Sequence, residues 1–440
     1  MAATFNISNL GTPSIPSPIK LSKTDGDKIF NFIEDDNRVL LDISLADYNS
    51  NIQSASSPEC LEKGGPREKL FFDPQKTTAA IVTCGGLCPG INNVIRSLVM
   101  ALHYFYGVKR IIGVRYGYEG LIPSHGHEFI ELTPDRVKDI HEFGGTMLGS
   151  SRGAQSVPEM VDTLQENEID LLFTIGGDGT LKGANAIADE IESRGLKIAV
   201  AGIPKTIDND IDLIDKSFGF ETASEIASKI VKDAHNEATG AYNGMAIVKL
   251  MGRDSGFIAA STAIAMPVVN FVIVPEMDFE LEGKNGFLQA LKKRLELKHH
   301  AVIVVAEGAG QQLFKVDEKV QKDASGNVQH KDIGLLLKQR VKAYFDEEGI
   351  NTTIKYIDPS YIIRSAPANA NDSLFCNRLA YQAVHGAMAG KTKFVVGRLN
   401  NCFVYVPISK VVNQRKKIDM EGEFWFGALQ STGQPFKMSR

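Results

Sequence analysis

Cysteine is scarce in this chain. Five cysteines occur among 440 residues, and they are Cys60, Cys84, Cys88, Cys376 and Cys402. Their spacing shows no disulfide framework, which is typical of a protein from a reducing compartment. Cys84 and Cys88 have the spacing of a metal clip, but no second pair of ligands lies near them in the sequence. We therefore expect buried structural thiols.

Long apolar runs and an excess of positive charge are also absent. No segment approaches the length of a membrane-spanning helix. The net charge of −5 argues against nonspecific binding to nucleic acid, because that binding depends on neutralising phosphates. Residues 1–24 are rich in serine and proline but contain no arginine and no continuous apolar segment, which leaves a plastid transit peptide as a minor alternative. We expect a cytoplasmic protein without membrane or nucleic-acid partners.

The chain does contain a regular alternation of strand-like apolar runs and helical stretches from about residue 76. The apolar runs predict buried strands at residues 79–83, 111–114, 169–175, 197–203, 245–248, 271–274, 301–305 and 394–396. Strands separated by helices indicate mostly parallel sheets with helices on both faces. The polar stretch 315–331 is predicted to be an exposed loop. We therefore expect an α/β protein, and 440 residues favour two domains.

The most informative motif is Pro204-Lys205-Thr206-Ile207-Asp208-Asn209-Asp210, which follows the predicted strand 197–203. The carboxyl ends of parallel strands are where open α/β sheets hold ligands. One carboxylate could deprotonate a substrate hydroxyl while Lys205 and Thr206 hold phosphate oxygens, which suits phosphoryl transfer. The same residue types are equally typical of a polar loop whose Asp and Asn cap the next helix.

A second motif, Gly176-Gly177-Asp178-Gly179-Thr180, follows the predicted strand 169–175. Helical periodicity begins after it, with an apolar face formed by Leu181, Ala184, Ile187, Ala188 and Ile191. Glycines between a strand and a helix let the backbone approach a polyphosphate, and the amino terminus of the helix favours its negative charge. Asp178 would supply a hard oxygen ligand for Mg²⁺. The alternative is an ordinary turn between a strand and a helix.

A third glycine-rich turn, Gly85-Gly86-Leu87-Cys88-Pro89-Gly90, follows the predicted strand 79–83 and precedes a predicted helix over 91–104. It lacks the Gly-Lys-Ser/Thr ending of the Walker pattern, and it is not a clean dinucleotide fingerprint. Its backbone N–H groups could still bind phosphate.

In this order, these motifs resemble those of the 6-phosphofructokinases. The resemblance extends to Met251-Gly252-Arg253, to Glu307 in Ala306-Glu307-Gly308 and to Tyr361-Ile362-Ile363-Arg364. It covers about residues 75–400. The amino-terminal extension and the form of the Pro204–Asp210 motif are similar to the plant and protist branch, which is related to the pyrophosphate-dependent enzymes.

The resemblance implies two doubly wound lobes with the active site in the cleft between them. On this basis we expect an amino-terminal extension at 1–75 and a nucleotide-binding lobe of residues 76–218 plus 362–408. The sugar-phosphate lobe would comprise residues 219–361 plus 409–440, which include the carboxyl-terminal tail. The resemblance also implies Mg²⁺ as the cofactor, and an allosteric enzyme that forms a homotetramer.

The reaction implied is a step of glycolysis, the ATP-dependent phosphorylation of fructose 6-phosphate at its 1-hydroxyl. Asp208 matches the catalytic base of the family, and Thr206 is expected to contact the transferring phosphoryl group. Arg253 would stabilise the charge that develops, because a guanidinium fork suits phosphate geometry. Asp210 is assigned either to the structure of the loop or to the surroundings of the metal.

The implied ATP site is formed by three segments. Its residues are Gly86, Arg152, Gly153, Gly177, Asp178, Gly179 and Thr180, with Asp178 as the metal ligand. Gly179 is expected to admit ATP, since pyrophosphate users of the family carry a second aspartate there that crowds and repels the α-phosphate. Lys205 is shared with pyrophosphate users and would attract either donor.

The implied sugar-phosphate site consists of Thr206, Ile207, Asp208, Met251, Gly252, Arg253, Glu307, Lys355, Tyr361 and Arg364. Glu307 is expected on the sugar hydroxyls, and Lys355, Tyr361 and Arg364 around the 6-phosphate. Two departures from bacterial relatives concern the 6-phosphate. Gly244 stands where they carry an arginine that acts across a subunit boundary, and Tyr361 stands where they have a histidine.

Three alternatives follow from the same motifs. The pyrophosphate-dependent enzyme makes the same product from another donor. Lipid and NAD kinases share the Gly-Gly-Asp-Gly-Thr turn but lack the Met-Gly-Arg and Tyr-Ile-Ile-Arg elements. A non-catalytic nucleotide-binding regulatory subunit would be expected to have lost Asp208, Asp178 or Arg253, and all three are present.

Overall fold

A computed structural model describes residues 5–53, 58–314 and 329–439. The chain divides into two compact units. Unit 1 comprises Met1–Thr206, Ile211–Gly219 and Ala366–Arg415, and unit 2 comprises Ile207–Asp210, Phe220–Ser365 and Lys416–Arg440. The predicted lobes have their boundaries at 218/219, 361/362 and 408/409, and unit 1 also includes the predicted extension at 1–75. The functional names given to these lobes remain predictions.

The strands are short and spread along the chain. They are β1 (Ser8–Asn9), β2 (Ile15–Pro16), β3 (Arg38–Leu40), β4 (Cys60–Lys63), β5 (Lys69–Leu70), β6 (Thr78–Thr83), β7 (Arg110–Val114), β8 (Ile130–Glu131), β9 (Leu171–Gly176), β10 (Ala199–Pro204), β11 (Gly244–Leu250), β12 (Phe271–Ile273), β13 (His300–Ala306), β14 (Thr353–Ile357), β15 (Lys391–Thr392), β16 (Phe394–Leu399) and β17 (Cys402–Pro407). All eight predicted strands are confirmed.

The helices separate most of the longer strands. They are α1 (Leu45–Gln53), α2 (Ile91–Met100), α3 (Pro134–Val137), α4 (Val157–Glu166), α5 (Asp178–Ser193), α6 (Phe220–Thr239), α7 (Phe257–Ala265), α8 (Phe287–Lys298), α9 (Ile333–Glu347), α10 (Ser360–Arg364), α11 (Ala370–Met388), α12 (Ile408–Val411) and α13 (Glu423–Thr432). The predicted helix over 91–104 continues beyond α2 as a π-helical turn, Ala101–Tyr106.

Unit 1 contains a nine-stranded sheet in the order β3-β4-β17-β16-β10-β9-β6-β7-β8. Its central strands, β16-β10-β9-β6-β7, are parallel, and the strands outside them pair antiparallel. Every residue of β6, β9 and β10 is buried, as expected for apolar strands of a parallel sheet. The predicted α/β class with a mostly parallel centre is confirmed, whereas the antiparallel edges were not predicted.

Several described residues of the extension pair with the rest of unit 1. β1 pairs with β15, and β3 and β4 extend the nine-stranded sheet. A buried ion cluster reinforces this pairing, because Glu62 Oε1 lies 2.8 Å from Arg67 Nη2 and 2.7 Å from Lys391 Nζ. Asp35 contacts the same two cations. The extension is therefore built into unit 1.

Unit 2 contains a four-stranded sheet in the order β12-β13-β11-β14, in which every pairing is parallel. Met245–Val248 of β11 and Ala301–Ala306 of β13 are fully buried. The carboxyl ends of these two strands are in register, since Leu250 lies opposite Ala306. The turns that follow them, at 251–253 and 307–308, are therefore neighbours.

Two further outcomes concern the chain as a whole. In the part of the chain that the structure describes, no helix is long and apolar enough to cross a membrane. The predicted loop at 315–331 lies almost entirely outside the described residues, which resume at 329.

Candidate active site

The turns predicted to hold the nucleotide lie along one edge of the sheet in unit 1. Thr83 of β6 lies opposite Ile175 of β9, and Pro204 of β10 lies opposite Gly176. The three strands therefore end side by side. This register brings the glycine turns after β6 and β9 next to Lys205.

Lys205 holds the first glycine turn in place. Its side chain is only 6% exposed, and its Nζ donates a hydrogen bond of 2.7 Å to the carbonyl oxygen of Gly86. Its own backbone N–H donates to the carbonyl of Gly176 at 2.9 Å. A buried lysine at this point links the turns after β6 and β9 and places positive charge between them.

Arg152 lies close to the same turn. A Cβ atom built on Gly86 would lie 3.3 Å from Arg152 Nη2. The segment before Arg152 is fixed by the hydrogen bond from the Gly85 N–H to the Ser151 carbonyl, 3.0 Å long. Gly153 has φ of +106°, which only glycine adopts readily. The structure therefore brings two cations, Arg152 and Lys205, together beside the backbone of Gly86. This arrangement is suited to binding phosphate.

The second glycine turn opens directly into α5. Asp178 is the first residue of α5 and Gly177 precedes it. Thr180 is buried against Gly176, where a Cβ atom would lie 2.1 Å from the hydroxyl oxygen of Thr180. In contrast, a Cβ atom on Gly179 would have no neighbour within 4 Å. Gly179 is therefore not required by packing, and the space above it is open.

Asp178 is the one predicted metal ligand. Its Oδ2 lies 2.9 Å from Lys182 Nζ and 3.8 Å from Arg415 Nη2. The described residues contain no cluster of three or more potential metal ligands. A lone carboxylate fits Mg²⁺ when phosphate oxygens and water complete the octahedron. Arg415 was missed by the sequence analysis, because nothing in the basic segment 415–417 distinguishes it.

Asp208 lies in unit 2 against the turn that follows β11. Its Oδ2 accepts a hydrogen bond of 3.3 Å from the backbone N–H of Arg253, and its carbonyl accepts one of 3.2 Å from the hydroxyl of Ser255. Burial, together with the negative charges of Asp210 and Glu307, raises the pKa of Asp208 from 3.8 to about 7, although the Arg253 N–H and Arg364 oppose the shift. A carboxylate with such a pKa is well matched to general-base catalysis near neutrality.

Two glycines let the turns after β11 and β13 lie in contact. Gly252 has φ of +130°, and a Cβ atom on it would lie 2.5 Å from the carbonyl oxygen of Ser255. A Cβ atom on Gly308 would lie 1.8 Å from the carbonyl oxygen of Arg253. The Gly308 N–H donates to the Gly252 carbonyl at 3.0 Å. This close approach explains why Glu307 and Arg253 lie in one cluster with Asp208.

The remaining predicted substrate residues are distributed unevenly. Met251 and Ile207 are buried, whereas Tyr361 is 83% exposed at the beginning of α10. Arg364, at the end of α10, contributes to the electrostatic environment of Asp208. Lys355 has a different partner, since its Nζ lies 3.5 Å from Glu237. The carbonyl of Thr206 accepts a hydrogen bond of 2.6 Å from Ser217.

Local packing explains why position 244 is a glycine in this chain. A Cβ atom on it would lie 2.0 Å from the carbonyl oxygen of Ala238, so no side chain fits without movement of the backbone. The arginine of bacterial relatives is therefore excluded at this position by local packing.

An ion network around Lys249 was also missed by the sequence analysis. Lys249 Nζ lies 2.8 Å from Asp332 and 2.9 Å from Asp358, and its side chain is only 12% exposed. Asp332 caps α9 through the N–H of Leu335, and Asp358 accepts from the N–H of Ser360, where α10 begins. Although burial opposes it, hydrogen bonds to both carboxylates raise the pKa of Lys249. The network fixes the beginning of α10, which carries Arg364.

The chain is similar in sequence to known proteins. The Phosphofructokinase family profile matches residues 78–387. The chain is 56% identical to the ATP-dependent 6-phosphofructokinase of Borreliella burgdorferi over 86% of each chain. It is 47% identical to that of Amycolatopsis methanolica, over 92% of this chain and 89% of the relative.

Solved structures show the same fold at low sequence identity. A pyrophosphate-dependent phosphofructokinase from Marinobacter aquaeolei has a TM-score of 0.66 at 20% identity, covering 82% of this chain and 92% of that one. Pichia pastoris phosphofructokinase has a TM-score of 0.60 at 24% identity, covering 76% of this chain and 35% of that one. These two likenesses concern the fold alone.

Proposed function

This chain belongs to the phosphofructokinase family, and we propose that it transfers the γ-phosphoryl group of ATP to the 1-hydroxyl of fructose 6-phosphate. The products are fructose 1,6-bisphosphate and ADP, and the reaction is a step of glycolysis. The observation that carries the proposal is Asp208, a buried carboxylate with a pKa near neutrality in the segment that follows β10. Its cluster contains the Met-Gly-Arg and Ala-Glu-Gly turns of the family.

Asp208 acts as the general base. It accepts the proton of the 1-hydroxyl as that oxygen attacks the γ-phosphorus, and the bond to the β-phosphate oxygen breaks as ADP leaves. The hydrogen bond from the Arg253 N–H orients the carboxylate. Arg253 and Thr206 stabilise the charge of the transferring group, and burial, together with Asp210 and Glu307, keeps the pKa of Asp208 high enough for proton transfer.

The nucleotide phosphates bind at the glycine turns of unit 1. Backbone N–H groups at Gly86, Gly177 and the start of α5 meet the phosphate oxygens, and Arg152 and Lys205 offset their charge. Asp178 would hold Mg²⁺, and the bound ion would supply positive charge that offsets the negative charge of the phosphates. We add Arg415 to this set as a second cation near Asp178.

Glu307, Met251 and Gly252 contact the sugar, and Arg364 contacts its 6-phosphate. Arg364 is favoured over Lys355 for the phosphate. Lys355 pairs with Glu237, whereas the charge of Arg364 lowers the pKa of Asp208 and therefore lies within electrostatic reach of the proposed base. Tyr361, exposed beside Arg364 on α10, is the third candidate for this end of the substrate.

ATP is the proposed donor because Gly179 leaves open space where pyrophosphate users carry an aspartate. Lys205 does not favour pyrophosphate, since its positive charge would attract either donor. The two relatives at 56% and 47% identity, from Borreliella burgdorferi and Amycolatopsis methanolica, are named ATP-dependent enzymes. A regulatory subunit without activity is disfavoured, because the chain retains Asp208, Asp178 and Arg253, which such a subunit would be expected to have lost.

We further propose a cytoplasmic homotetramer under allosteric control, which the family resemblance implies. The exposed Tyr361 and Ile362 on α10, 83% and 68% exposed, support contact with a partner molecule. Light scattering after gel filtration tests the number of subunits.

A coupled assay tests the proposed reaction. Purified chain is supplied with fructose 6-phosphate, Mg²⁺ and either ATP or pyrophosphate, and formation of fructose 1,6-bisphosphate is followed. We expect product with ATP and little with pyrophosphate. Equal or greater rates with pyrophosphate would contradict the proposed donor, and nucleotide hydrolysis without bisphosphate would contradict the proposed acceptor.

A further inference from the structure

Unit 1 contains a cavity that is lined by none of the residues assigned to the proposed reaction. Its volume is about 360 Å³, within the range of cavities that hold small organic molecules. Its walls come from distant parts of unit 1: the extension (Ile19, Leu21, Phe30), Phe105, α11 and the turn at 401–403.

Most of the lining of this cavity is apolar. Phe30 and Phe105 border it while remaining 63% and 43% exposed, and covering them would stabilise a complex by removing apolar surface from water. His385 also lines it, but burial lowers the pKa of His385 to about 3, so its imidazole is neutral. It hydrogen bonds to Tyr106 at 2.7 Å.

Two cations line the same cavity, Lys63 and Arg378. The guanidinium of Arg378 lies 4.6 Å from the centre of the Phe403 ring. Among the residues that the structure describes, no carboxylate forms an ion pair with Lys63 or Arg378, whereas the nearby cations Arg67 and Lys391 both pair with Glu62. The cavity therefore combines apolar walls with uncompensated positive charge.

Gln382 provides a third observation. Its side-chain oxygen is buried and has no hydrogen-bond partner in the described part of the chain, although buried polar groups are normally paired. A side-chain amide carries both an oxygen acceptor and N–H donors, so by rotation Gln382 can offer either one to a bound molecule.

From these observations we infer that the cavity is a binding site for a small anionic amphiphile, with its apolar chain or ring between Phe30 and Phe105 and its acidic head group at Lys63 and Arg378. This site is separate from the proposed reaction and does not depend on it. Medium-chain carboxylates have this chemistry, and decanoate is a suitable probe. Decanol is the matched neutral probe.

Cys402 makes the inference testable, because it lines the cavity and is partly accessible. The full-length protein is treated with iodoacetamide, and modification of each cysteine is followed by peptide mass spectrometry. We expect decanoate to slow the modification of Cys402 in a saturable manner and to leave Cys60, also partly accessible, unchanged. Decanol should protect much more weakly.

The double variant Lys63→Gln, Arg378→Gln supplies the control. The affinity for decanoate should fall by about 10- to 100-fold, the usual effect of losing charge-assisted contacts. Protection of Cys402 by decanol should be unchanged. Titration calorimetry on the same samples gives the affinities directly. Because neither residue is part of the proposed catalytic machinery, phosphotransferase activity should be unaltered.

Three results would overturn the inference. They are no protection of Cys402 by decanoate, equal protection of Cys402 and Cys60, and equal protection by decanoate and decanol. Protection of Cys402 that rises with protein concentration in the absence of any probe would instead show that a second copy of the chain covers the cavity.

Discussion

At the scale of single residues, Asp208 connects the sequence to the chemistry most directly. Its position after a buried strand predicts a ligand-facing carboxylate, and the structure surrounds it with Asp210, Glu307 and the Arg253 N–H. Burial and like charge raise its pKa, which costs stability in the folded state and provides a base of suitable strength. Two properties of the protein, activity and stability, should therefore respond in opposite directions to one substitution.

The substitution Asp208→Asn should lower kcat by about 10²- to 10⁴-fold, because the amide keeps the shape but cannot accept the proton. Binding of fructose 6-phosphate should be largely preserved, since the carboxylate acts on the reacting hydroxyl. Steady-state kinetics and equilibrium binding on the same preparation check both halves. A variant with wild-type kcat would remove Asp208 from the role of base.

The same variant should be more stable than the wild type at pH 8. The folded protein holds the proton of Asp208 up to about pH 7, whereas the unfolded chain releases it near 3.8. The carboxylate therefore destabilises the fold progressively as the pH rises through this window. Each pKa unit corresponds to about 1.4 kcal/mol, so denaturant unfolding at pH 4.5 and 8 resolves the effect. A stability difference that does not grow with pH would contradict the raised pKa.

Replacement of Arg364 by alanine should raise KM for fructose 6-phosphate by about one to two decades, with little change in KM for ATP. Arg364→Lys keeps the charge but not the planar guanidinium fork, so its KM for fructose 6-phosphate should lie between those of the wild type and Arg364→Ala. Initial-rate measurements with each substrate varied in turn distinguish the outcomes. Equal changes in both KM values would point to a role in the stability of unit 2.

At the scale of elements, the sequence predicts what periodicity and local chemistry determine. The buried strands and α5 are recognisable because their apolar residues recur with the period of a strand or a helix. Leu181, Ala184 and Ile187 are buried as predicted. The antiparallel strands β3, β4 and β17 on one side of the nine-stranded sheet could not be predicted, because their pairing depends on partners far away in the chain. Arg415 and Lys249 were missed for the same reason.

Lys249 is a positioning residue for α10. We expect Lys249→Met to raise KM for fructose 6-phosphate by about 10- to 100-fold, since loss of the ion pair with Asp358 releases the start of α10 and displaces Arg364. KM for ATP should change by no more than about two- to three-fold, because Lys249 contacts none of the residues proposed to bind ATP and distant sites act nearly independently.

The control is Lys249→Arg, which retains the charge and should recover most of the affinity for fructose 6-phosphate. A merely structural role would lower thermal stability and raise both KM values together. If fructose 6-phosphate binding is unchanged in Lys249→Met, then the network does not position Arg364.

At the scale of the whole molecule, the predicted donor and acceptor residues belong to different units. Gly86, Asp178 and Lys205 lie in unit 1, and Asp208, Arg253 and Glu307 lie in unit 2. The chain passes between these units several times. Such crossings carry no local signal in the sequence, and the expected lobes therefore came from the family resemblance.

Substitution of Gly179 tests whether ATP binds over the second glycine turn. Gly179→Asp places a carboxylate in open space at the start of α5, and Gly179→Ala is the matched control because a Cβ atom there meets nothing within 4 Å. Two like charges about 4 Å apart at an effective dielectric of about 20 repel by about 4 kcal/mol. We therefore expect kcat/KM for ATP to fall by about two to three decades in Gly179→Asp and to remain near wild type in Gly179→Ala.

The measurement is kcat/KM for ATP and for pyrophosphate in the wild type and both variants, with fructose 6-phosphate and Mg²⁺ at saturation. We expect that the wild type uses ATP and that Gly179→Asp loses this activity, whereas kcat/KM for pyrophosphate falls much less. If Gly179→Asp and Gly179→Ala had the same kcat/KM for ATP, ATP would not bind over this turn, and the proposed donor site would be wrong.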